Sequence, residues 1–261
     1  MNGGLRYKMT SRKTRAIILA AGIGGRLSPA TENTPKALLD LGHGITVLDR
    51  QLEAIKACNI HEVRVVVGYE AEQIETKLIQ RADLGLDTGI FYNPFYRVTN
   101  NLVSLWMARP FMDHDFIMIN GDDVFRKSVL QKLIRTSGDF VAVISRKKCY
   151  DSDDTKIITN GPVIARIDKN LPLDQVNAEW AGICLVRGSA RARFVDLMDS
   201  LIRNPLLREG PPHYLSLIQG LIDSGLTLEY LEIPVEAWAE IDYQKDLDFV
   251  QAKIAQFDHD Q

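Results

Sequence analysis

The chain has 261 residues, a formal net charge of −3 and 46% apolar residues, which is typical of a globular protein with one large or two small domains. The balance of charge provides no broad positive surface for nucleic acid, and no apolar run approaches the roughly 18 residues of a membrane span. Composition therefore predicts no nucleic-acid partner and no membrane partner, and it leaves a homo-oligomer open.

Cysteine usage and the basic start of the chain concern location. Cys58, Cys149 and Cys184 lie far apart and share no metal-ligand spacing. Such an odd, sparse count is typical of a reduced protein, so we predict a cytoplasmic location. Residues 1–15 are basic but lack the apolar segment of a secretory signal. We predict a flexible leader over 1–14 and a single domain over 15–261.

The first half of the chain alternates strand and helix patterns. The apolar run 16–20 predicts a strand, the spacing of Leu48, Leu52 and Ile55 predicts a helix near 46–57, and 62–69 predicts a second strand. The elements predicted next are a helix with Ile74 and Leu78, a strand ending at Asn93, a helix capped by Asn100, a strand at 116–121, a helix at 129–134 and a strand at 140–145. The alternation predicts an α/β fold, a mostly parallel central sheet with helices on both faces.

After residue 146 the pattern changes to one richer in strands. Segments 155–159 and 163–168 flank Asn160-Gly161, a hairpin signal that the following Pro162 weakens. The later elements are a strand at 180–186, helices at 192–202 and 214–222, strands at 228–234 and 236–242, and a helix from Gln244. We interpret residues 146–188 as a small β-rich inserted lobe of the same domain, which binds a substrate.

A glycine-rich loop directly follows the first strand. Gly22, Gly24 and Gly25 would expose backbone N–H groups that can cradle a phosphate. The spacing fits neither a dinucleotide fingerprint nor a P-loop. Arg26 and Lys36 come next, and both can return to phosphates above the loop, where transfer at phosphorus needs positive charge. We therefore prefer a phosphate site to a turn with two solvated cations.

Two aspartates follow predicted strands. Asp122 ends "INGD" and Asp242 ends "AEID", and strand ends are where open α/β sheets bind ligands. Mg²⁺ typically takes one or two carboxylates together with phosphate oxygens and water. We predict that Asp122 and Asp242 hold Mg²⁺, with Asp123 a neighbour and not the main ligand.

The motifs "LAAGIGGRL" and "TPKALL" resemble the signature of nucleotidyltransferases that activate sugar phosphates and small phospho-alcohols. "VGY" at 67–69 is similar to the same family, and "TNNLVSL" at 99–105 resembles the branch that contains phosphocholine and inositol-phosphate cytidylyltransferases. Further matches to that branch are "DTKI" at 154–157, "KNLP" at 169–172, "EWAGI" at 179–183 and "AEIDYQKDL" at 239–247. The resemblance implies a glycosyltransferase-A-like, Rossmann-like sheet that binds CTP, with Mg²⁺ bridging the nucleotide and an acceptor phosphate.

The resemblance and the loop chemistry together suggest a role for each residue. Arg26 and Lys36 would be catalytic, and Lys156 and Glu179 would bind the acceptor through its phosphate and its alcohol part, unless Lys156 is simply an exposed strand lysine. The predicted nucleotide contacts are Leu19, Ala20, Ala21, Gly22, Gly24, Gly25, Tyr69, Asn101 and Ser104. The alternative for Asn100, and less so for Asn101, is that it merely caps a helix.

The acceptor itself is not fixed by these motifs. A choline group would favour an aromatic cage, an ammonium group could meet an acidic run, and a loop histidine could line the pocket. The residues available are Trp180, Tyr214 and Trp238, then Asp151, Asp153 and Asp154, and His213. The chain lacks a tryptophan beside Cys149, where the phosphocholine pattern has one. Phosphocholine, aminoethylphosphonate, inositol phosphate and an amino-acid-derived phosphate or phosphonate all stay open.

We therefore predict an Mg²⁺-dependent cytidylyltransferase that transfers CMP from CTP to a small phosphate or phosphonate and releases pyrophosphate. One alternative is a nucleotidylyltransferase that joins UTP, dTTP or GTP to a sugar 1-phosphate. Another is a nucleotide-sensing protein without turnover, although the cations and carboxylates expected of an enzyme are present. A glycosyltransferase would share the sheet but would not need "AAGIGGR" followed by "PK".

Overall fold

The computed structural model describes residues 13–204 and 213–258. The strands in that part are β1 Thr14–Ala20, β2 Glu62–Val67, β3 Asp87–Tyr92, β4 Asp115–Asn120, β5 Asp123–Phe125, β6 Phe140–Ser145, β7 Lys156–Asn160, β8 Val163–Asp168, β9 Ala178–Val186, β10 Glu229–Ile233 and β11 Trp238–Glu240. The α-helices are α1 Val47–Ala57, α2 Ala71–Gln80, α3 Asn101–Met107, α4 Lys127–Leu133, α5 Gly188–Arg203, α6 Tyr214–Asp223 and α7 Gln244–Asp258.

Nine strands form one sheet in the order β3-β2-β1-β4-β9-β6-β10-β8-β7. β1 lies parallel to β2 and β4, and β6 lies parallel to β10. β9 runs antiparallel between β4 and β6, so the sheet is mixed although most of its strands share one direction. The predicted α/β class is confirmed.

The predicted insert over 146–188 contributes its strands to this same sheet. β7 and β8 form the hairpin expected around Asn160-Gly161, where Gly161 adopts φ +57°. β9 lies in the middle of the sheet and touches both the β4 side and the β7–β8 hairpin. The lobe is therefore anchored by a central strand.

Helices cover both faces of the sheet, as the alternating pattern predicts. One apolar cluster packs α1, α2 and α4 against the strands through residues such as Leu48, Ile74 and Leu130. The other packs α3, α5 and α6 through residues such as Leu105 and Phe194. Burying both faces in this way supplies the main driving force for folding such a sheet.

A third apolar cluster holds the site-bearing loops together. Val250 and Phe257 of α7 pack in it with Leu27 of the glycine loop, Leu39 and Ile241. The short strands β5 and β11 pair antiparallel beside this cluster. Packing thus brings the loop after β1 next to the segment that follows β11, more than 200 residues away in the sequence.

Three further observations concern the start of β1, the character of the helices and the state of the cysteines. Residues 1–12 lie outside the described residues, and β1 begins at Thr14, within the predicted leader. Within 13–204 and 213–258, no helix has the length and apolar character needed to cross a membrane. Cys58 and Cys184 are buried, Cys149 is exposed, and none of the three forms a disulfide.

Candidate active site

A cavity of about 310 Å³ opens at the carboxyl ends of β1 and β4, where the sequence predicts a ligand site. It brings together several residues of the predicted set, namely Leu19, Ala20, Ala21, Gly22, Arg26, Lys36, Asn101, Ser104, Asp122 and Asp242. Other lining residues, absent from that set, include Tyr96, Asn120, Gly121, Thr155, Lys169, His213, Tyr214 and Glu240. Predicted residues that do not line it are Gly24, Gly25, Tyr69, Lys156 and Glu179.

Three carboxylates face one another at the floor of the cavity. Each of Asp122, Glu240 and Asp242 offers a carboxylate oxygen, and these oxygens lie within 4.8 Å of one another. The β5–β11 pairing creates this proximity, because the backbone N–H of Ile241 donates to the carbonyl of Asp122 at 3.0 Å. Clustered carboxylate oxygens are the donor set that Mg²⁺ prefers, so the residues present fit the predicted ion.

The two predicted cations lie against this carboxylate cluster. The Lys36 Nζ is 3.0 Å from Asp122 Oδ2 and 2.5 Å from Asp242 Oδ1. The Arg26 guanidinium is 2.6 Å from Asp242 and 3.5 Å from Asp153 of the inserted lobe. Burial alone would lower the pKa of Lys36, but the carboxylates outweigh burial and hold that pKa above its ordinary value. Lys36 is therefore a fixed positive charge.

Glu240 and Asp123 have raised pKa values for the same physical reasons. Burial, with repulsion from the Asp122 and Asp242 carboxylates, raises the pKa of Glu240 to about 8. Burial, with repulsion from Asp122 and Glu240, raises the pKa of Asp123 well above its usual range. The Asp123 side chain is fully buried, and its Oδ1 accepts from the Trp238 Nε1 at 2.9 Å. Asp123 is therefore a buried neighbour of Asp122 and does not line the cavity.

The glycine loop differs from the prediction at Gly24. Gly24 adopts φ +70°, and a Cβ there would lie 2.9 Å from the Lys36 Cγ and 3.2 Å from the Thr31 Cγ2. A larger residue at position 24 would clash with the Lys36 side chain, so packing against Lys36 favours glycine here. The sequence predicts instead that Gly24 exposes backbone N–H groups to a phosphate. Gly22 lines the cavity, and a Cβ on it would meet nothing within 4 Å. A side chain introduced at Gly22 would therefore fit the protein itself but would obstruct a ligand that binds close to the Gly22 backbone.

Tyr69 supports the loop from below and does not line the cavity. Its ring is buried, and its hydroxyl donates to the carbonyls of Thr31 and Glu32. Its backbone N–H donates to the Ala21 carbonyl at 3.2 Å. The predicted nucleotide contact of Tyr69 is thus replaced in this structure by contacts that fix the loop between Ala21 and Lys36.

The start of α3 forms one wall of the cavity. Asn100 caps the helix, as predicted, and its side chain accepts from the Asn101 N–H at 2.9 Å. The Asn101 side chain lies 2.7 Å from the His213 Nε2 and accepts from the Tyr214 N–H at 2.9 Å. The Ser104 Oγ accepts from Asn93 at 2.9 Å. The Asn101 amide therefore joins α3 to the start of α6.

In the inserted lobe, both predicted acceptor residues lie behind the cavity wall. Lys156 is 2% exposed, and its Nζ donates to the carbonyls of Ser152, Asp154 and Lys169, the last at 2.7 Å. The alternative of an exposed strand lysine is therefore wrong. Because Lys169 lines the cavity, Lys156 reaches the site through the Lys169 backbone.

Glu179 belongs to a small buried charge cluster. The Lys147 Nζ lies 2.7 Å from Glu179 Oε2 and 2.8 Å from Asp154 Oδ1. Burial raises the pKa of Glu179 to about 7 although the Lys147 ammonium draws it down. The structure thus gives Glu179 a part in holding the loop at 151–154.

Lys169 and Glu240 line the cavity but were not singled out from the sequence, whereas His213, considered there as a pocket residue, does line it. Lys169 lies in the quoted motif "KNLP" and Glu240 in "AEID", so attention to whole motifs would have found both. Burial and the Lys169 ammonium lower the pKa of His213 to about 4, so its imidazole is neutral at physiological pH. A Cβ on Gly121 would lie 2.8 Å from Ala20, which only tertiary packing reveals.

The residues of this cavity lie partly within a segment that matches a known protein family. Residues 15–147, which contain the glycine loop, Lys36 and Asp122, match the model of the nucleotidyl transferase family. The chain belongs to this family. The predicted family resemblance is therefore confirmed.

The similarity to individual proteins extends beyond residues 15–147. The chain is 27% identical over 252 residues to a CTP:phosphoglutamine cytidylyltransferase of Campylobacter jejuni, covering 89% of this chain and 97% of that protein. It is 35% identical over 153 residues to a choline-phosphate cytidylyltransferase of Haemophilus influenzae, covering 59% of this chain and 61% of that protein. The solved inositol-1-phosphate CTP transferase of T. maritima superposes with a TM-score of 0.76 at 20% identity, over 95% of this chain and 99% of that chain, which shows the shared fold.

Proposed function

We propose that this nucleotidyl transferase is an Mg²⁺-dependent cytidylyltransferase that couples CTP to a small phosphate or phosphonate. The observation that carries the proposal is the meeting of Arg26 and Lys36 with Asp122, Glu240 and Asp242 in one cavity. The names of the relatives support cytidine as the base and a small phosphorylated compound as the acceptor. The family model covers the glycine loop, which supports our placing the triphosphate there.

The reaction we propose needs no general base, because an acceptor phosphate is ionised at neutral pH. An acceptor oxygen forms a bond to the α-phosphorus of CTP while the bond from that phosphorus to the β-phosphate oxygen breaks, releasing pyrophosphate. Arg26 and Lys36 orient the phosphates and balance the negative charge that develops during transfer. His213, whose imidazole is neutral, lines the cavity with Asn101 and Ser104, and we place the nucleoside against these three residues.

The carboxylate cluster gives the metal its place in this proposal. Asp122 and Asp242 would hold Mg²⁺, and Glu240 would be a third ligand that the sequence prediction omitted. When bound, the ion would neutralise phosphate charge and align the two substrates. Its arrival would also compete with the present ion pairs of Lys36 and Arg26, which would then be available to the phosphates.

We expect CTP to stabilise the protein more than UTP, dTTP or GTP does. At a CTP concentration about 100 times its Kd, binding adds roughly 2.7 kcal/mol to the free energy of unfolding. For a chain of this size, that raises Tm by about 5–10 °C. Thermal-shift titration of the four nucleotides with Mg²⁺ measures the difference, and an equal or larger shift with another nucleotide would contradict the cytidine assignment.

For the acceptor, we propose that Lys169 contacts the phosphate or phosphonate and that Lys156 holds Lys169 in place. Lys169 lines the cavity near Glu240 and His213. Its positive charge helps to lower the pKa of His213 and partly offsets the rise in the pKa of Glu240. Of the three aromatic residues considered for a choline cage, Tyr214 alone lines the cavity. Phosphocholine, aminoethylphosphonate, inositol phosphate and an amino-acid-derived phosphate or phosphonate stay in the acceptor class.

Lys169→Ala is expected to raise the acceptor KM by about 10- to 100-fold, because a hydrogen bond to a charged group contributes roughly 1.5–3 kcal/mol. Lys156→Ala should raise the same KM through displacement of the Lys169 turn. CTP affinity should stay nearly intact in both variants. Steady-state kinetics with calorimetry of CTP binding tests this, with Lys148→Ala, an exposed lysine of the same lobe, as the control. A loss of CTP affinity equal to the rise in KM would assign these lysines to the nucleotide.

A further inference from the structure

A buried glutamine of α1 supports the turn that carries Asp122. Gln51 is 1% exposed, and its Nε2 donates to the carbonyl of Asn120 at 2.9 Å and to that of Asp123 at 2.8 Å. Asn120 ends β4 and Asp123 begins β5, so one side-chain amide spans both sides of the turn. We propose that Gln51 is a positioning residue for the metal-binding carboxylate of Asp122. The inference rests on the Mg²⁺ site of the proposed function.

Backbone groups of two neighbouring segments also hold this turn. The Gly121 N–H donates to the Leu19 carbonyl at 2.9 Å, and the Ile241 N–H donates to the Asp122 carbonyl at 3.0 Å. Those bonds fix the turn sideways within the sheet layer. Gln51 reaches it from the helix layer, so the turn is held from three directions.

The helix that carries Gln51 is itself firmly anchored. Thr46 and Asp49 form a capping box at the start of α1. Asp49 also pairs with Lys77 at 2.6 Å and with Arg81, which tie α1 to α2. A site residue is placed most accurately when its support lies on a rigid element, and α1 is such an element.

The chemistry of Gln51 also points to the turn and not to packing. Its Oε1 is buried and has no hydrogen-bond partner among the described residues. A buried acceptor without a partner destabilises a fold. An apolar residue of similar size would avoid that cost, but it would leave two carbonyls of the turn without their donor. The amide hydrogens are therefore the feature that this position uses.

The consequence for the metal site is geometric. Mg²⁺ requires nearly ideal octahedral geometry, so small shifts of one carboxylate lower the affinity of the site for the ion. The Asp122 carboxylate accepts from Lys36, a cation that must turn toward phosphates in the proposed reaction. Once Lys36 moves, the backbone of the turn determines where the Asp122 oxygens lie relative to Glu240 and Asp242.

The test compares Gln51→Met with Leu52→Met, a matched change at the next buried position of α1 that lies in the apolar cluster. Mn²⁺ binding is followed by the loss of the free-ion EPR signal, for the protein alone and with CTP. Partners of metal ligands typically contribute 10- to 100-fold to metal affinity. We expect the Mn²⁺ Kd to rise roughly 10-fold in Gln51→Met, kcat to fall at fixed Mg²⁺, and the acceptor KM to stay unchanged. Leu52→Met should keep all three values.

Each result separates this inference from the proposed function. Unchanged Mn²⁺ affinity in a folded Gln51→Met protein, beside normal binding by the wild type, would overturn the role of Gln51 alone. A wild type that binds Mn²⁺ neither alone nor with CTP would overturn the metal site and this inference with it. If Gln51→Met does not fold, Gln51→Asn replaces it, since its amide is one methylene too short to span the turn, and the same rise in Kd is expected.

Discussion

Lys36→Ala is expected to lower kcat by about 100- to 1,000-fold, which corresponds to roughly 3–4 kcal/mol of transition-state stabilisation. Lys36 carries a fixed charge between Asp122 and Asp242, in the cavity where we place the triphosphate of CTP. Because that charge acts mainly on negative charge that develops during transfer, CTP affinity should fall far less than kcat. Steady-state kinetics beside calorimetry of CTP with Mg²⁺ separates the two quantities.

The matched control for this variant is Lys132→Ala, which removes an exposed lysine of α4 far from the cavity lining. It should leave kcat and CTP affinity unchanged. A Lys36→Ala protein with wild-type kcat, or with loss confined to CTP affinity, would contradict a role for Lys36 in the transfer step.

Asp242→Asn is expected to reduce turnover by roughly 1,000-fold or more, because metal-ion catalysis contributes several kcal/mol and each 1.36 kcal/mol is tenfold in rate. Asp242 accepts from both Lys36 and Arg26 and belongs to the carboxylate cluster. One substitution should therefore weaken metal binding and also displace two cations. The change should also raise the Mn²⁺ Kd, measured by EPR at saturating CTP.

Asp248→Asn provides the control for Asp242→Asn, since Asp248 is an exposed aspartate on α7 whose carboxylate accepts from Gln244 of the same helix. Its turnover and Mn²⁺ affinity should match the wild type. If Asp242→Asn kept full turnover at limiting Mg²⁺, the metal would have to be held without Asp242, and the carboxylate site would be wrong.

The fold was largely predictable because its helices and strands have strong local periodicity. Leu48, Leu52 and Ile55 mark α1, and the apolar run of β1 marks the strand beside the site. β5 could not be predicted in the same way, since three residues carry no period and its partner β11 lies more than 100 residues away. The antiparallel place of β9 in the middle of the sheet is likewise a product of tertiary pairing.

The candidate site divides along the same line. Charged residues in contiguous motifs, such as Arg26, Lys36 and Asp122, were found because the chemistry dictates their type and order. Sequence shows that a strand carries a lysine but not which way its ammonium points, so the contacts of Lys156 with backbone carbonyls could not be predicted. The tight fit of Gly24 against Lys36 exists only in the folded chain, so the sequence could not show it.

The most direct test of the account is a pyrophosphate-release screen that crosses CTP, UTP, dTTP and GTP with small phosphates and phosphonates in the presence of Mg²⁺. The panel contains phosphocholine, aminoethylphosphonate, inositol phosphate, amino-acid-derived phosphates and phosphonates, and sugar 1-phosphates. We expect release with CTP and at least one small phosphate or phosphonate other than a sugar 1-phosphate, and we expect that release to be lost in Lys36→Ala. Release confined to UTP, dTTP or GTP with a sugar 1-phosphate, or no release with any pair although nucleotides bind, would contradict it.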